Sequence, residues 1–157
     1  MSVNPMLDVI VTDVVEVNSL IKRFHFEQPD GSSLPAFSGG AHVVVEMQDG
    51  EQLRRTPYSL MSSPQDTSDY QISIRRDDEG RGGSLYMHRE VEKGMQMRIS
   101  PPTNLFALDN RSNKQLMFAG GIGITPMIAM AHRLHKIGKP FALHYSCSSR
   151  KTAGFLD

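Results

Sequence analysis

Two short stretches carry residue types that could hold a flat, phosphorylated ligand. The first is Arg55-Thr56-Pro57-Tyr58-Ser59-Leu60, whose pattern predicts the end of a β-strand. Pro57 removes an amide donor and restrains the backbone beside it. Tyr58 could then lay its ring on a planar ligand, while Ser59 offers a hydroxyl and an amide to a ring nitrogen. An edge strand whose tyrosine simply packs into the core explains the same residues equally well.

The second stretch is Gly80-Arg81-Gly82-Gly83-Ser84. Its glycines allow consecutive amide groups to converge on one anion, and Arg81 adds a charge-assisted donor. Ser84 is the predicted N-cap of a following helix, whose positive end would lie behind the anion. Alone, this stretch also fits a surface turn with an ordinary serine cap. Together, the two stretches predict a site for a heteroaromatic ring with a phosphate tail, which is the shape of flavin mononucleotide (FMN).

Composition narrows the class of protein. The chain has 157 residues, with 17 acidic and 17 basic side chains, so nothing indicates a nucleic-acid partner. Cys147 is the single cysteine, which excludes an internal disulfide framework and a cysteine-ligated iron-sulfur cluster in this chain. It favours a reducing, cytoplasmic location. No apolar run approaches the roughly 18 residues of a membrane span, so no membrane partner is expected.

The first 110 residues are expected to form a flavin-binding barrel. Alternating, β-branched runs bounded by turn residues predict six antiparallel strands, and closing them removes the exposed edges. The predicted fold is a six-stranded antiparallel Greek-key barrel with one short helix. The strands are expected at 7–17, 20–27, 42–47, 54–60, 70–76 and 95–99, the hairpin turn at 48–51 and the helix at 84–91.

From residue 111 the pattern changes to that of an α/β domain. The apolar run 115–119 predicts a buried parallel strand, and Gly120-Gly121-Ile122-Gly123-Ile124-Thr125-Pro126 follows directly. We expect Thr125 as N-cap and Pro126 as the first residue of a helix that runs to Ile137 and is closed by Gly138, before a strand at 141–146. This βαβ unit predicts the first part of a nucleotide-binding domain over 111–157, incomplete because two parallel strands cannot bury both sheet faces.

The glycine turn of this unit differs from the Gly-x-Gly-x-x-Gly dinucleotide fingerprint. Gly120, Gly121 and Gly123 would let a pyrophosphate or nicotinamide approach the backbone at the helix N-terminus. A tight turn with a purely structural role is the alternative.

In this order, the motifs resemble the ferredoxin-NADP reductase superfamily. Within it, they are similar to the FMN-dependent reductase components of Rieske-type oxygenases, the group of the phthalate dioxygenase, vanillate demethylase and carnitine monooxygenase reductases. The resemblance spans essentially the whole chain. It rests on Tyr58-Ser59-Leu60, Gly80-Arg81-Gly82-Gly83-Ser84, Asn104-Leu105-Phe106 with Leu108, and the run from Ala119 to Pro126.

The resemblance implies roles for single residues. Tyr58 would pack on the flavin ring, Ser59 would contact its N5 region, and Thr125 would face it where the nicotinamide arrives. The superfamily's arginine usually lies two positions before the tyrosine, where this chain has Thr56, whereas Arg55 lies three before it. The remaining implied contacts are Arg81, Gly82, Gly83 and Ser84 with the phosphate, Ser73, Ile74 and Arg75 beside the ring and ribityl chain, Arg55, Thr56, Pro57 and Leu60 along the first stretch, and Gly120, Gly121 and Gly123 with the nicotinamide dinucleotide.

The implied reaction is hydride transfer from NAD(P)H to the flavin, then release of single electrons to a Rieske-type oxygenase or a ferredoxin-type acceptor. No side chain is needed as acid or base, and the [2Fe-2S] cluster is expected outside this chain. FMN is preferred to FAD because no adenine platform is recognisable. The choice between NADH and NADPH stays open. The alternative is a non-catalytic, flavin-carrying or protein-docking module that pairs with another chain.

Three further features could form sites. His132 and His135 share a helix face but lack a third metal ligand at suitable spacing, so no metal is expected. Cys147 could border a nicotinamide pocket or be a small packed side chain. Ser148-Ser149-Arg150-Lys151 could recognise an adenosine ribose or 2′-phosphate, or be a solvated loop.

Overall fold

The computed structural model describes residues 5–156, which form one antiparallel sheet and one parallel sheet. The elements are β1 Leu7–Asn18, β2 Ile21–Glu27, β3 His42–Asp49, β4 Gln52–Ser59, β5 Tyr70–Arg75, α1 Gly83–Glu90, β6 Gln96–Ile99, β7 Gln115–Gly120, a 3₁₀ turn Gly121–Gly123, α2 Ile124–Lys136 and β8 Phe141–Ser146.

The first six strands form a barrel in the order β4-β3-β6-β1-β2-β5. All neighbouring pairs are antiparallel, and β6 lies between β3 and β1, which gives the Greek-key crossing. Strand alternation turns Val43, Val45 and Met47 inward, where each is at most 1% exposed. The terminal strands β4 and β5 meet at a seam where Met61 N–H donates to the Gln71 carbonyl at 2.9 Å. The predicted barrel is confirmed.

Helix α1 contacts β3, β4 and β5 and places Met87 in the core with no exposed surface. Its start differs from the prediction. Gly82, at φ 92°, is the N-cap, and the helix begins at Gly83. The hydroxyl of Ser84 instead accepts a hydrogen bond from the Asp77 amide at 3.0 Å. Ser84 as N-cap was therefore wrong, because a left-handed glycine turns the chain into the helix two residues earlier than a serine cap at 84 would.

The βαβ unit is confirmed, with β7 and β8 paired in parallel. A 3₁₀ turn starts the helical path early, so Gly123 is the N-cap of α2 and Thr125 is its second residue. The Thr125 hydroxyl donates to the Ile122 carbonyl at 3.1 Å, so Thr125 as N-cap was also wrong. Pro126 still lies in the first turn, where its missing amide costs no hydrogen bond. Gly138, at φ 67°, closes the helix as expected.

Helix α2 covers one face of the parallel sheet, packing Met127, Met130 and Leu134 into a second core. The other face carries Leu116 and Phe118, which are 57% and 65% exposed, and the Phe118 ring stacks on His144. The two strands thus leave one face uncovered, as their number predicts. The division at residues 110 and 111 into two domains remains a prediction.

Two glycines bring the barrel close to the second core. A Cβ on Gly40 would lie 2.0 Å from the Phe106 carbonyl oxygen, and one on Gly39 would lie 2.8 Å from the Met130 Cα. The 3₁₀ turn after β7 also contacts β5. These close approaches place the glycine turn beside the barrel. None of the helices within residues 5–156 is long and apolar enough to cross a membrane.

Candidate functional site

The two stretches singled out in the sequence meet at the open end of the seam between β4 and β5. Residues 54, 56 and 58 of β4 share the inward face of the strand, since they pair with Met47, Val45 and Val43. They face the turn that leads into α1. A cavity of about 350 Å³ lies between the two, lined by Gln52, Arg54, Arg55, Thr56, Tyr58, Asp77, Gly80, Arg81, Gly83 and Ser84.

Tyr58 brings an unsatisfied polar group to this cavity. Its ring packs against the barrel core, while its hydroxyl is buried and makes no hydrogen bond. Burial raises the pKa of Tyr58 to about 12, and the nearby Thr56 side chain offsets part of that rise in pKa without providing a properly oriented partner. A buried hydroxyl that lacks a partner costs about 1–3 kcal/mol. The Tyr58 hydroxyl therefore lacks a hydrogen-bond partner in the protein, and the cavity beside it has room for a ligand atom.

The glycines of the turn are required by close contacts. A Cβ on Gly83 would lie 2.7 Å from the Thr56 hydroxyl and 3.5 Å from the Tyr58 hydroxyl. A Cβ on Gly82 would lie 2.9 Å from the guanidinium carbon of Arg54. The turn and β4 are thus in contact through backbone on one side and polar side chains on the other. A side chain at Gly83 would displace the Thr56 hydroxyl, and the φ of 92° at Gly82 disfavours any residue other than glycine.

The electrostatics of the cavity favour an anion. Helix α1 has no side-chain cap and no acidic residue in its first turn, so its positive end faces the turn unopposed. Arg81 is exposed beside it. Asp77 is the carboxylate in the lining, and its Oδ1 accepts the Glu79 amide at 3.1 Å. A phosphate group matches this arrangement in charge and in its need for several donors.

Arg54 was not among the residues predicted from the sequence. Its Nε donates to Asp49 Oδ2 at 2.8 Å, and its Nη1 donates to the Arg81 carbonyl in a very short contact. Arg55 leaves the strand on the opposite face, and its Nε and Nη2 both donate to Glu46 Oε2, at 2.9 and 2.7 Å. The alternation of strand residues was the signal that could have found Arg54, because 54, 56 and 58 must share a face.

The other predicted flavin contacts lie along the two seam strands. Ser73 is buried and donates to the Met61 sulfur, and the side chains of Ile74 and Leu60 belong to the core. Pro57 and Arg75 are exposed, whereas Ser59 is half-buried at the end of β4. Of the whole predicted set, the 350 Å³ cavity brings together Arg55, Thr56, Tyr58, Arg81, Gly83 and Ser84, with Gly82 in contact with Arg54.

The glycine turn after β7 is open. A Cβ on Gly120, Gly121 or Gly123 would meet nothing within 4 Å, so packing does not require these glycines. Thr125 is buried directly behind the turn at 5% exposure. A cavity of about 550 Å³ adjoins Gly120 at the carboxyl ends of the parallel strands, the edge at which α/β sheets bind ligands.

The other features considered as sites are the two helix histidines and the cysteine. His132 and His135 are exposed, and within residues 5–156 no group of three or more histidine, cysteine or acidic side chains is arranged to hold a metal ion. Cys147 is an exposed free thiol rather than a packed side chain. The largest cavity described, about 660 Å³, lies between the barrel and α2 and includes His132 but none of the predicted flavin residues.

Comparison with known families agrees with the barrel and its cavity. Residues 8–108 match the model of the oxidoreductase FAD-binding domain. The chain belongs to the oxidoreductase FAD-binding domain family. A flavin is accordingly the class of cofactor that the comparison supports.

Reductase and oxidoreductase relatives are similar along nearly the whole chain. The carnitine monooxygenase reductase subunit of Acinetobacter baumannii is 45% identical over 152 residues, covering 97% of this chain and 47% of that protein. The vanillate O-demethylase oxidoreductase of Acinetobacter baylyi is 37% identical over 149 residues, covering 95% of this chain and 46% of its own length.

Among solved structures, phthalate dioxygenase reductase superposes with a TM-score of 0.91 at 34% identity, covering 96% of this chain and 46% of that protein. It is described as a modular structure for electron transfer from pyridine nucleotides to [2Fe-2S]. The resemblance to oxygenase reductase components is thereby confirmed. The chain spans about half the length of the curated relatives that it matches.

Proposed function

We propose that this chain binds a flavin at the seam between β4 and β5 and serves as the flavin-binding part of an NAD(P)H-dependent reductase component of an oxygenase. The observation that carries the proposal is the seam cavity, where the buried and unpartnered Tyr58 hydroxyl faces Gly83 beside an uncapped helix N-terminus. Such a cavity fits a group that is flat, polar and anionic at one end.

Residue roles follow from the positions of the donors. Arg81, Gly82, Gly83 and Ser84 would hold the phosphate, since Arg81, Gly83 and Ser84 line the cavity at the uncapped start of α1. Tyr58 would offer its hydroxyl, and Ser59 would lie nearest the flavin ring at the end of β4. Ser73, Ile74 and Arg75 are proposed to border the ring and ribityl chain from β5.

The second half of the chain would bring the reductant. The open glycine turn at Gly120, Gly121 and Gly123 would let a nicotinamide dinucleotide approach the backbone, and the contact of this turn with β5 supports delivery beside the flavin. Thr125 would line that approach. When bound, a flavin supplies acceptance of two electrons from a nicotinamide and their release one at a time to an iron-sulfur acceptor. The chain itself supplies binding, orientation and exclusion of water.

We infer FMN rather than FAD, and a cytoplasmic setting in which the exposed Cys147 stays reduced. A turn flanked by arginines and a helix N-terminus suits a terminal phosphate, which carries more negative charge than an internal pyrophosphate oxygen group. The partner would be a Rieske-type oxygenase or another iron-sulfur acceptor, in keeping with the carnitine and vanillate systems of the relatives.

The test is the visible absorption spectrum of the purified protein, followed by mass identification of whatever is released on denaturation. We expect two flavin bands and released FMN. Released FAD would contradict the choice of FMN while leaving the flavin site standing. A colourless protein that fails to take up added FMN, FAD or riboflavin would contradict the proposal.

A non-catalytic electron-transfer module that depends on another chain is the second candidate. The uncovered sheet face with Leu116 and Phe118 favours it, because exposed apolar surface of this kind marks an interaction site. Sedimentation over a concentration series separates a monomer from a self-associating protein. Flavin binding without any NAD(P)H response would favour this second candidate.

A further inference from the structure

We propose that Arg54, and not the neighbouring Arg55, is the β4 arginine that binds the flavin phosphate in this protein. The inference rests on the proposed flavin site and goes further by assigning the anion contact on this strand. It begins from a choice between two adjacent, identical side chains.

Strand geometry separates the two arginines. In an extended strand, successive side chains point to opposite faces. Tyr58 pairs with Val43 and Arg54 with Met47, both core residues, whereas Arg55 pairs with Glu46. The ladder is regular from Gln52 to Ser59, so no bulge brings Arg55 back to the inward face. An arginine at an even spacing from Tyr58 therefore lies on the inward face of β4, and one at an odd spacing lies on the outward face.

The partners of each arginine reinforce this separation. Arg55 is engaged by Glu46, which also receives Nη1 of Arg98 at 3.0 Å. The Arg55 side chain is 59% exposed. Arg54 is 21% exposed, and its guanidinium lies against Gly82 at the centre of the phosphate turn. Both side chains border the cavity, and that of Arg54 contacts the turn at the Arg81 carbonyl and at Gly82.

Arg54 also keeps donors free. A guanidinium has five N–H groups. One is used by Asp49 and one by the Arg81 carbonyl, so three remain available for an anion. Asp49 fixes the plane of the guanidinium, and the contact with the Arg81 carbonyl fixes the turn. The result is a pre-oriented donor set, which is the form in which arginine binds phosphate most effectively.

Position 56 supplies no positive charge on the inward face of β4. Thr56 lies two residues before Tyr58 on the same inward face, and its hydroxyl is within contact distance of Gly83. A threonine there supplies a neutral donor and no charge. Arg54 lies one pleat further along the same face, and its longer side chain spans the additional distance to the turn.

The experiment compares Arg54→Gln with Arg55→Gln in the full 157-residue chain, by fluorescence titration with FMN and, in parallel, with riboflavin. The FMN affinity of Arg54→Gln should be about tenfold or more lower than that of the unmodified protein, because the variant loses a charge-assisted contact with the phosphate. Riboflavin lacks the phosphate, so its affinity should not change. Arg55→Gln should bind both ligands as the unmodified protein does.

Arg54→Lys guards against a folding effect. It keeps the charge but loses the planar fork, so its FMN affinity should fall between those of the unmodified protein and Arg54→Gln. Circular dichroism of all variants verifies the fold. Equal FMN losses in Arg54→Gln and Arg55→Gln, or an equal loss of riboflavin binding, would overturn the inference. An unmodified protein that binds no flavin at all would instead overturn the proposed function and this inference with it.

Discussion

Tyr58 and Tyr70 place the same side chain in two different polar environments. Tyr70 is fully buried in the barrel, and its hydroxyl donates to the Pro35 carbonyl. The Tyr58 hydroxyl is also buried but has no partner. Burial raises the pKa of both phenols, so both remain neutral at physiological pH. Because a buried donor without a partner is a cost, the two residues should respond in opposite directions when the hydroxyl is removed.

Replacing each tyrosine by phenylalanine tests this difference in the flavin-free protein. Tyr70→Phe should lower the free energy of unfolding by about 1 kcal/mol, since it strands the Pro35 carbonyl. Tyr58→Phe should leave it unchanged or raise it by up to about 1 kcal/mol. Urea unfolding followed by circular dichroism measures both. A loss for Tyr58→Phe equal to that for Tyr70→Phe would mean that the Tyr58 hydroxyl already has a protein partner.

The same variant bears on the ligand site. If bound FMN supplies the missing partner, Tyr58→Phe should bind FMN more weakly than the unmodified protein even though the flavin-free protein is no less stable. Titration of the two variants used above provides the comparison, with Tyr70→Phe as the control that keeps the cavity intact. Equal FMN affinity in all three proteins would remove Tyr58 from the site.

At the scale of elements, period and turn chemistry predicted the barrel strands and the βαβ unit well. Runs such as 70–76 alternate strictly, and one face of them is buried, so register and type are fixed by the sequence itself. The helix starts were wrong at Ser84 and Thr125. In both cases the N-cap is a glycine two residues upstream of the predicted cap. Gly82 is left-handed, whereas Gly123 has an ordinary helical conformation at the end of the 3₁₀ turn, and nothing in the residue types distinguishes either glycine from its neighbours.

Candidate-site residues were predicted where they belong to one local motif. They were missed where their position depends on which face of a strand they occupy. Arg81 and Gly83 lie in one turn, so their proximity follows from the sequence. Arg54 was missed although strand alternation puts it on the face of Thr56 and Tyr58, and the register of β4 on β3 sets that face toward Met47 and the core. The pairing of Arg55 with Glu46 is likewise a cross-strand contact that no single strand's sequence reveals.

Gly40 lies against both the segment around Phe106 and helix α2, since a Cβ there would lie 2.8 Å from Met130 Cε. It has φ 98°, and a Cβ there would lie 2.0 Å from the Phe106 carbonyl oxygen. Gly31 has a similar φ of 75° but open space around it. Gly31→Ala should therefore show only the backbone strain of about 1–2 kcal/mol. Gly40→Ala should lower the free energy of unfolding by about 1–3 kcal/mol more, because the loop that contains Gly40 must move away from the segment around Phe106.

Urea unfolding of both glycine variants checks this expectation, with the strain common to both cancelling in the difference. The steric term predicts a further change in Gly40→Ala, namely faster proteolysis of the segment around Phe106, since its packing against the loop is lost. Equal stability of the two variants would show that the Gly40 contact relaxes at no cost.

For the whole molecule, we expect the parallel sheet to determine how readily a nicotinamide dinucleotide reduces the proposed flavin. Two strands flank the glycine turn, and one face of the sheet carries exposed Leu116 and Phe118. The barrel, by contrast, has a continuous core of its own. The chain also spans about half the length of its relatives. We therefore expect this 157-residue polypeptide to bind the flavin, whereas within residues 5–156 the surface proposed to meet a nicotinamide dinucleotide comprises the turn and one adjoining cavity.

We therefore expect the FMN-loaded 157-residue polypeptide to be reduced readily by dithionite but only slowly by NADH or NADPH. Stopped-flow absorption at the flavin band measures the rate of reduction by dithionite. Steady-state NADH oxidation with ferricyanide as acceptor measures turnover with the nicotinamide. Gly123→Ala serves as the matched variant, since its new methyl group meets no protein atom and can act only on an approaching ligand. A residual NADH rate that falls in Gly123→Ala would locate the nicotinamide at this turn. A rate like that of a complete reductase would show instead that two strands suffice to position the reductant.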